Sequence, residues 1–354
     1  MSTAATASSM RREIDEIPDV VDQIIAASSG ELRAVASAIR DGRPRWAMVA
    51  GRGTSDHAAV FAQYLFETYL GVPTGLVKPS VTTVYGASLD WNAGLLIAIS
   101  QSGQSPDIIG VVEAARAGGA LTVAITNEHP SPLAEAAEWH VRCHAGREVA
   151  IPATKSYVAE LAVVASLVSA IRPDPSLSEG LAALPSVLRG TLLATVDWLA
   201  VAGRIAVRDL AASNRALLVS RGYNLATALE LALKLKETCG IFAEGYSTAD
   251  FAHGPLVLAQ AAVPIVAIRP DAAIGALIDE TLAAMAGRGG RTTVIGGAEA
   301  ASIPGALSLP STLPEALTPL QFVVPGQLLV EATARELGLN PDAPAGLNKV
   351  TRTR

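Results

Sequence analysis

The stretch WAMVAGRGTSDHAAVFAQYLFET, residues 46–68, has the pattern of a strand, a glycine-containing turn and a helix in direct succession. Apolar residues 47–50 precede the glycines, and apolar residues then recur at helical spacing. This order is typical of βαβ units, in which parallel strands share one sheet. The stretch therefore predicts an α/β fold.

The same alternation continues along the whole chain. We predict strands at 47–50, 95–100, 121–126, 139–143, 216–220, 263–268 and 292–297, and helices at 10–27, 55–70, 106–117, 155–170, 225–239, 273–287 and 318–337. A shift of 170 residues aligns residues 46–68 with ALLVSRGYNLATALELALKLKET, residues 216–238. We therefore predict two copies of one module.

A length of 354 residues suits two domains rather than one. Proline and serine cluster at 173–178, which marks a break between the two halves. The predicted parts are an N-terminal extension with a helix (1–30), a first domain (31–185), a second domain (200–345) and a C-terminal tail (346–354).

The composition excludes several classes of protein. Half of the residues are apolar and 17% are charged, as in large α/β proteins, and the net charge of -6 gives no basic field for nucleic acid. The two cysteines are far apart and form no CxxC, which is typical of reduced thiols. We see no signal peptide and no apolar stretch long enough to cross a bilayer. We expect a cytoplasmic protein that binds neither nucleic acid nor membranes.

Two short polar loops are the first candidate site. GRGTS (51–55) and SQSGQS (100–105) each follow a predicted strand and precede a predicted helix. Exposed backbone N–H groups and hydroxyl groups at such positions suit an anion, and the two loops together favour phosphate. Either loop alone could equally be an ordinary turn with serine and glycine caps. Asp56 breaks the dinucleotide-binding fingerprint and the Walker pattern is absent, so we expect no nucleotide cofactor.

The helix predicted at 225–239 carries the second candidate site. Glu230, Lys234 and Glu237 are spaced so that one narrow stripe of the helix holds all three. By spacing alone, an intrahelical salt-bridge ladder explains them. Their neighbours are mainly Leu and Ala, and in an apolar setting a carboxylate's pKa can rise towards the value that a general base needs.

Other polar residues are weaker candidates. His253, before Gly-Pro, could exchange a proton with a sugar ring oxygen or be a simple turn residue, and Lys349 could be an ordinary solvated lysine. His140, Cys143 and His144 lie close in sequence, but a fourth ligand is missing and strand residues alternate faces. We expect neither a metal nor another cofactor.

Several long motifs, in order, resemble those of the sugar isomerase (SIS) family, and most closely the isomerase half of glucosamine-6-phosphate synthases. The motifs are the GTS loop (53–55), SQSG (100–103), HAGREVAIPATKSY (144–157), ALELALKLKE (228–237), AEGYSTADFAHGP (243–255) and DAPAGLNK (342–349). The resemblance covers residues 10–354. It implies two flavodoxin-like modules, each a parallel sheet flanked by helices in three αβα layers, with the phosphosugar held by the first domain. It also implies a homodimer in which His253 is contributed across the interface.

The resemblance implies a role for each matching residue. Glu237 is the base that moves a proton between C1 and C2, His253 opens the sugar ring, Lys349 meets the open-chain sugar and Lys234 is a supporting cation. The implied ligands of the substrate and its phosphate are Gly53, Thr54, Ser55, Ser100, Gln101, Ser102, Ser105, Ile151 and Asn348.

The chain departs from the synthases at its start, where Met1-Ser2-Thr3 replaces the expected Met-Cys of a glutaminase. We therefore expect no glutaminase activity, and a reaction that interconverts glucosamine 6-phosphate with fructose 6-phosphate and ammonia. The alternatives are a deglycase or ketose/aldose isomerase acting on another 6-phosphosugar, and a non-catalytic module that senses a sugar phosphate. Arg52, Asp56, Gln104 and Asn348 also differ from common family residues, which bears on the identity of the sugar.

Overall fold

The computed structural model describes residues 7–27, 29–310 and 312–349. The strands are β1 Trp46–Ala50, β2 Thr74–Leu76, β3 Gly94–Ser100, β4 Leu121–Thr126, β5 Trp139–Arg142, β6 Arg215–Ser220, β7 Phe242–Ser247, β8 Pro264–Arg269, β9 Arg291–Gly296 and β10 Leu307–Ser308. The helices are α1 Ser9–Asp15, α2 Ile17–Ala27, α3 Ser29–Gly42, α4 Thr54–Leu65, α5 Ser80–Thr83, α6 Pro106–Ala117, α7 Pro132–Ala136, α8 Lys155–Ile171, α9 Pro175–Ala200, α10 Gly203–Ala211, α11 Leu225–Cys239, α12 Thr248–Ala252, α13 Ala272–Ala286 and α14 Thr318–Glu336. Short 3₁₀ turns occur at Gly222–Asn224, Pro255–Leu258, Ala298–Ser302 and Glu315–Leu317.

The first sheet has the strand order β2-β1-β3-β4-β5, and every pair of neighbours is parallel. From β1 the chain continues to β2 at one edge of the sheet. From β3 it continues through β4 to β5 at the opposite edge. The order therefore reverses between β1 and β3, which pair side by side with Ala50 opposite Ala98. In open α/β sheets such a switch point, at the carboxyl ends of the strands, is where ligands bind.

The second sheet has the order β10-β9-β8-β6-β7, again with parallel neighbours. Counted from its own first strand, β6, this is the same order as that of the first sheet. Helices flank both sheets. The predicted fold class, two flavodoxin-like α/β modules, is confirmed.

Each sheet has its own apolar core. Every residue of β3 and of β8 is buried, as expected for central strands of a parallel sheet covered on both faces. Around β3 the core includes Trp91, Val111 and Leu133, and around β8 it includes Phe251 and Met285.

The chain forms two compact units, one around each sheet. The first-sheet unit contains residues 19–146 and 156–185, and the second-sheet unit contains 7–18, 147–155 and 186–349. The second-sheet unit thus includes two segments that come from the N-terminal half of the sequence. The domain boundaries expected from sequence stay a prediction.

Two predicted helices differ from those in the structure. The helix predicted at 10–27 is two helices, α1 and α2, since Pro18 has no N–H to donate to the carbonyl of Ile14. The helix predicted at 55–70 changes to a π-helical turn at Phe66–Leu70. Three strands were not predicted, β2, β7 and β10, and each lies at an edge of its sheet or is very short.

Helix α9 runs without interruption from Pro175 to Ala200 and begins inside the proline and serine cluster at 173–178, which predicts a break between the two halves. Pro175 is the first helical residue, a position that proline favours. In the described part of the chain no single helix meets the length and hydropathy needed to cross a membrane. The pair α9 and α10 does so only when taken together, with a 68° bend between them.

Two glycine substitutions test how tightly α11 and α14 pack. A Cβ on Gly326 would lie 2.2 Å from Cδ1 and 2.5 Å from Cδ2 of Leu231, which is itself buried. We expect Gly326→Ala to lower the free energy of unfolding by about 1–3 kcal/mol. Gly190 is exposed within α9, and a Cβ added there would have no neighbouring atom within 4 Å. Gly190→Ala should therefore raise the free energy of unfolding by about 0.5–1 kcal/mol.

Urea unfolding of both variants beside the wild type checks the pair. Equal effects of the two substitutions would mean that helix propensity, and not the contact between Gly326 and Leu231, governs stability at these positions.

Candidate functional site

The loop after β1 is shaped by two glycines. A Cβ on Gly51 would lie 2.4 Å from the carbonyl oxygen of Ser55, so only glycine lets the loop turn this tightly against the start of α4. Gly53 has φ of 55°, in the left-handed region, and is the N-cap of α4. Thr54 and Ser55 are the first two residues of that helix. The loop therefore presents a helix N-terminus at the switch point of the first sheet.

The loop after β3 is built in the same way. Gly103 has φ of 61°, and a Cβ there would lie 2.4 Å from Oγ of Ser131. Oγ of Ser100 accepts from the N–H of Gly103 at 3.2 Å, and Oγ of Ser102 accepts from the N–H of Gln104 at 3.3 Å. Within the described residues neither hydroxyl donates a hydrogen bond, so each can donate to a ligand. Ser105 is the N-cap of α6, and no hydrogen bond from its side chain closes the cap.

These two loops, residues 51–55 and 100–105, form what we call the cradle. They follow adjacent strands and end at the N-termini of α4 and α6, where backbone N–H groups and the helix dipoles favour an anion. The cradle contains Gly53, Thr54, Ser100, Gln101, Ser102 and Ser105, and their role as ligands stays a prediction.

Ser55 has a different environment from the other cradle serines. It is buried, and its hydroxyl donates to Oε1 of Glu160 at 2.8 Å. Its backbone N–H donates to the carbonyl of Arg52 at 3.1 Å. Because its hydroxyl proton is used in the bond to Glu160, Ser55 must rotate this hydroxyl away from Glu160 to donate to a ligand. Glu160 also affects Cys143: burial raises the pKa of the Cys143 thiol, and the charge of Glu160 raises it further.

An ion pair that was not predicted connects the first loop of the cradle to the helix that follows the second loop. Nε of Arg52 donates to Oδ2 of Asp107 at 2.7 Å, and Nη2 lies 2.6 Å from the same oxygen. Asp107 is buried near the start of α6, whereas 47% of the Arg52 side chain is exposed.

In the second-sheet unit, the stripe on α11 forms a buried charge cluster. Nζ of Lys234 lies 2.5 Å from Oε2 of Glu237 and 3.4 Å from Oε1 of Glu230. Burial alone would lower the pKa of Lys234, but the charges of Glu230 and Glu237 outweigh it, so the pKa is raised. The intrahelical salt-bridge ladder, which explains the spacing of these residues most simply, is therefore present. Glu237 contacts a cation and not only apolar side chains, and 25% of its side chain is exposed.

The segment 147–155 carries a second pair of opposite charges. Nζ of Lys349 donates to Oε2 of Glu148 at 2.8 Å and to the carbonyl of Ala150 at 2.7 Å. The other oxygen of Glu148 accepts from the N–H of Thr154 at 2.8 Å. The N–H of Ile151 donates to the carbonyl of Asp342 at 2.8 Å. Lys349 is thus held in place and is not the freely solvated lysine of the simpler interpretation.

Glu148 also acts on α11, because its charge contributes to the raised pKa of Lys234. Glu148 therefore contacts Lys349 and also contributes to the electrostatic environment of Lys234. Of the remaining predicted residues, His253 directly follows α12 and is exposed, and Asn348 is exposed.

His140, on β5, contacts a second histidine and a threonine. His140 stacks on His129 and its Nε2 lies 2.8 Å from Oγ1 of Thr126, while burial lowers the pKa of His140 to about 4. Over residues 7–27, 29–310 and 312–349, the structure contains no group of three or more His, Cys, Asp or Glu side chains arranged to hold a metal ion.

The sequence model of the SIS domain matches residues 44–170 and 209–303, which include both sheets' central strands and α11. The chain belongs to the SIS domain family. The resemblance expected from the motifs is confirmed.

Relatives of this SIS protein are similar over almost all of its length. It is 33% identical to a glutamine–fructose-6-phosphate aminotransferase (isomerizing) of Methanothermobacter thermautotrophicus, over 90% of this chain and 56% of that protein. The chain spans about half the length of the curated relatives it matches.

Two solved structures share the fold. A candidate phosphosugar isomerase from Silicibacter pomeroyi is 34% identical with a TM-score of 0.86, covering 95% of this chain and 100% of that one. The C-terminal domain of glucosamine-fructose-6-phosphate aminotransferase from Francisella tularensis is 23% identical with a TM-score of 0.85, covering 97% and 100%. At that identity the second likeness shows the fold alone.

Several residues of the SIS protein's two sites were not singled out from sequence. Glu148 lies inside the motif HAGREVAIPATKSY and Asp107 directly follows SQSGQSP, but neither motif predicts an ion pair for them. Arg52 differs from the common family residue at its position, which by itself predicts no ion pair either. Ion pairs between residues far apart in sequence leave no periodic signal, and this is why they were missed.

Removal of the buried cation tests the charge cluster. Lys234→Met leaves Glu230, which is fully buried, without its ammonium partner, so we expect a loss of about 3–5 kcal/mol in the free energy of unfolding. The double variant Glu230→Gln/Lys234→Met should recover at least half of that loss. Urea unfolding measures both.

A double variant no more stable than Lys234→Met would contradict the pairing.

Proposed function

We propose that this chain is an amino-sugar-phosphate isomerase and deaminase that interconverts glucosamine 6-phosphate with fructose 6-phosphate and ammonia. The observation that carries the proposal is the state of Glu237. One carboxylate oxygen is fixed 2.5 Å from the buried ammonium of Lys234, while part of the side chain stays open to solvent. A positioned and accessible carboxylate is what a general base for a carbon-bound proton requires.

The cradle supports a phosphorylated substrate. Its two helix N-termini and the free protons of Ser100 and Ser102 suit the oxygens of a phosphate monoester. The relative from Methanothermobacter is named for fructose 6-phosphate, and the similar structure from Silicibacter for a phosphosugar. We propose that Ser55, Gln101 and Ser105 complete the phosphate ligands, with Thr54 near the sugar and Gly53, Ile151 and Asn348 as further substrate contacts.

The reaction needs one proton transfer at carbon and two at heteroatoms. His253 moves the proton of the anomeric hydroxyl to the ring oxygen and opens the ring. Glu237 removes the proton from C2 and returns it to C1, while O1 gains a proton and the amine loses one. The product is a C2 imine, which takes up water and releases ammonia to give fructose 6-phosphate.

The two lysines stabilise charge during this transfer. Negative charge develops on O1 as C2 loses its proton, and a nearby ammonium lowers the energy of that state. Lys349 is held by Glu148 and Ala150, so its side chain is ordered before substrate arrives. We propose Lys349 for this role and Lys234 as the group that keeps Glu237 in place. No metal and no organic cofactor takes part in these steps.

The proposal includes a homodimer. His253 is exposed in the single chain, and we propose that it acts on substrate held by a second copy. The protein is proposed to act in the cytoplasm.

Product analysis by mass spectrometry tests the reaction. Wild-type protein incubated with glucosamine 6-phosphate should give fructose 6-phosphate and an equal amount of ammonia. Glu237→Gln should lower turnover by about 10²–10⁴-fold, because the base is gone, and leave binding of the phosphosugar within about threefold. Glu336→Gln, an exposed carboxylate at the end of α14, is the matched control and should retain wild-type turnover.

Other products would replace the proposal with one of its alternatives. Release of an amine from fructose-amine 6-phosphates alone indicates a deglycase, and isomerisation of a 6-phosphosugar without ammonia indicates a ketose/aldose isomerase. Tight binding without any turnover indicates a sensor.

A further inference from the structure

The cradle contains one ionisable side chain, that of Arg52. The other side chains of its loops, 51–55 and 100–105, belong to Thr, Ser and Gln, which carry no charge. A phosphate monoester carries a charge of about -1.5 to -2 near pH 7. Neutral donors and helix ends alone must then offset nearly two negative charges, unless Arg52 contributes.

The Arg52 side chain is fixed and yet open. Nε and Nη2 both contact Oδ2 of Asp107, at 2.7 and 2.6 Å, so the plane of the guanidinium is set. Nη1 has no acceptor in the part of the chain that the structure describes, and 47% of the side chain is exposed. An arginine held in this way loses less conformational entropy when it binds a ligand than a free surface arginine does.

Asp107 is suited to holding the guanidinium. Its side chain is 1% exposed, and Oδ1 accepts from the N–H of Ile108 at 2.9 Å, so the carboxylate cannot swing away. It sits at the start of α6, directly after the loop 100–105, whereas Arg52 lies in the loop after β1. The ion pair therefore joins the loop after β1 to the start of the helix that follows the loop 100–105.

We propose that Arg52 is the charged ligand of the phosphate dianion and that Asp107 is the residue that positions it. The inference rests on the proposed function, because it assumes a phosphorylated ligand in the cradle. Arginine suits this task because its N–H groups match phosphate oxygens in geometry and remain charged at every physiological pH. Arg52 thereby makes the cradle selective for phosphorylated over neutral sugars.

A simpler role for Arg52 is to neutralise the buried carboxylate of Asp107. The two roles differ in the double variant Arg52→Gln/Asp107→Asn, in which no buried charge is left to neutralise. If Arg52 only neutralises the carboxylate of Asp107, the double variant should regain both stability and affinity for the phosphosugar. If Arg52 binds phosphate, the double variant regains stability but stays weak in binding.

Isothermal titration of the full chain with glucosamine 6-phosphate, inorganic phosphate and unphosphorylated glucosamine separates these outcomes. We expect Arg52→Gln to weaken glucosamine 6-phosphate binding by about 10- to 100-fold, the effect of one charge-assisted hydrogen bond, and to leave any glucosamine binding unchanged. Arg52→Lys should retain part of the affinity. In turnover assays KM should rise while kcat changes by less than about threefold.

The pH profile gives a readout that a structural role would not move. The affinity of the wild type should fall between pH 7.5 and 5.5, as the phosphate dianion takes up a proton near pH 6. Arg52→Gln should show a smaller fall. Arg291→Gln removes the same charge from the exposed pair with Asp209 and should match the wild type throughout.

Three results would overturn the inference. Wild-type affinity in Arg52→Gln, or wild-type affinity restored in the double variant, removes Arg52 from the phosphate site while the proposed function stands. A wild-type protein that binds neither phosphorylated probe removes the phosphosugar assignment itself, and the role of Arg52 with it.

Discussion

Burial of the Lys234 ammonium is the constraint on which the second-sheet unit depends. Only 1% of this side chain is exposed, and an isolated charge at such a position costs several kcal/mol. The cost is offset by Glu230 and Glu237, which reach Lys234 only if α11 is a regular helix in this register. Gly326 allows α14 to pack against Leu231 of the same helix. Stability and the position of the proposed base thus have one physical origin.

The same principle organises the segment 147–155. Glu13 accepts hydrogen bonds from the N–H groups of Val149 and Ala150, and burial raises its pKa although these bonds oppose the change. Lys155 contacts Glu16 at 2.5 Å, and Glu148 holds Lys349. Residues from the start, the middle and the end of the described chain therefore meet around this segment. This also explains why residues 7–18 belong to the same compact unit as the second sheet.

The sequence predicts the regular part of the fold well, for identifiable reasons. The central strand β3 contains a continuous apolar run, and helix α11 begins and ends at the predicted residues. Strand β7 was missed because an edge strand is half exposed and its sequence FAEGYS lacks an apolar run. The break between α1 and α2 follows from Pro18 and could have been predicted.

Sequence reasoning is weaker for the charged pairs at the two sites. The stripe on α11 was predicted because its members lie within one helix, where spacing fixes proximity. The contact between Lys349 and Glu148 joins residues 201 positions apart, and that between Arg52 and Asp107 joins residues 55 apart. No local periodicity reports such contacts, so they require the folded chain. The roles given to these residues stay proposals, whereas their positions are observed.

The central claim is that Glu237 moves the proton of C2, and following that proton tests it most directly. Glucosamine 6-phosphate carrying deuterium at C2 should react more slowly than the unlabelled sugar, with the deuterium found at C1 of fructose 6-phosphate or in water. Glu237→Gln should leave the label at C2. Loss of the C2 deuterium at the wild-type rate in Glu237→Gln would contradict the account.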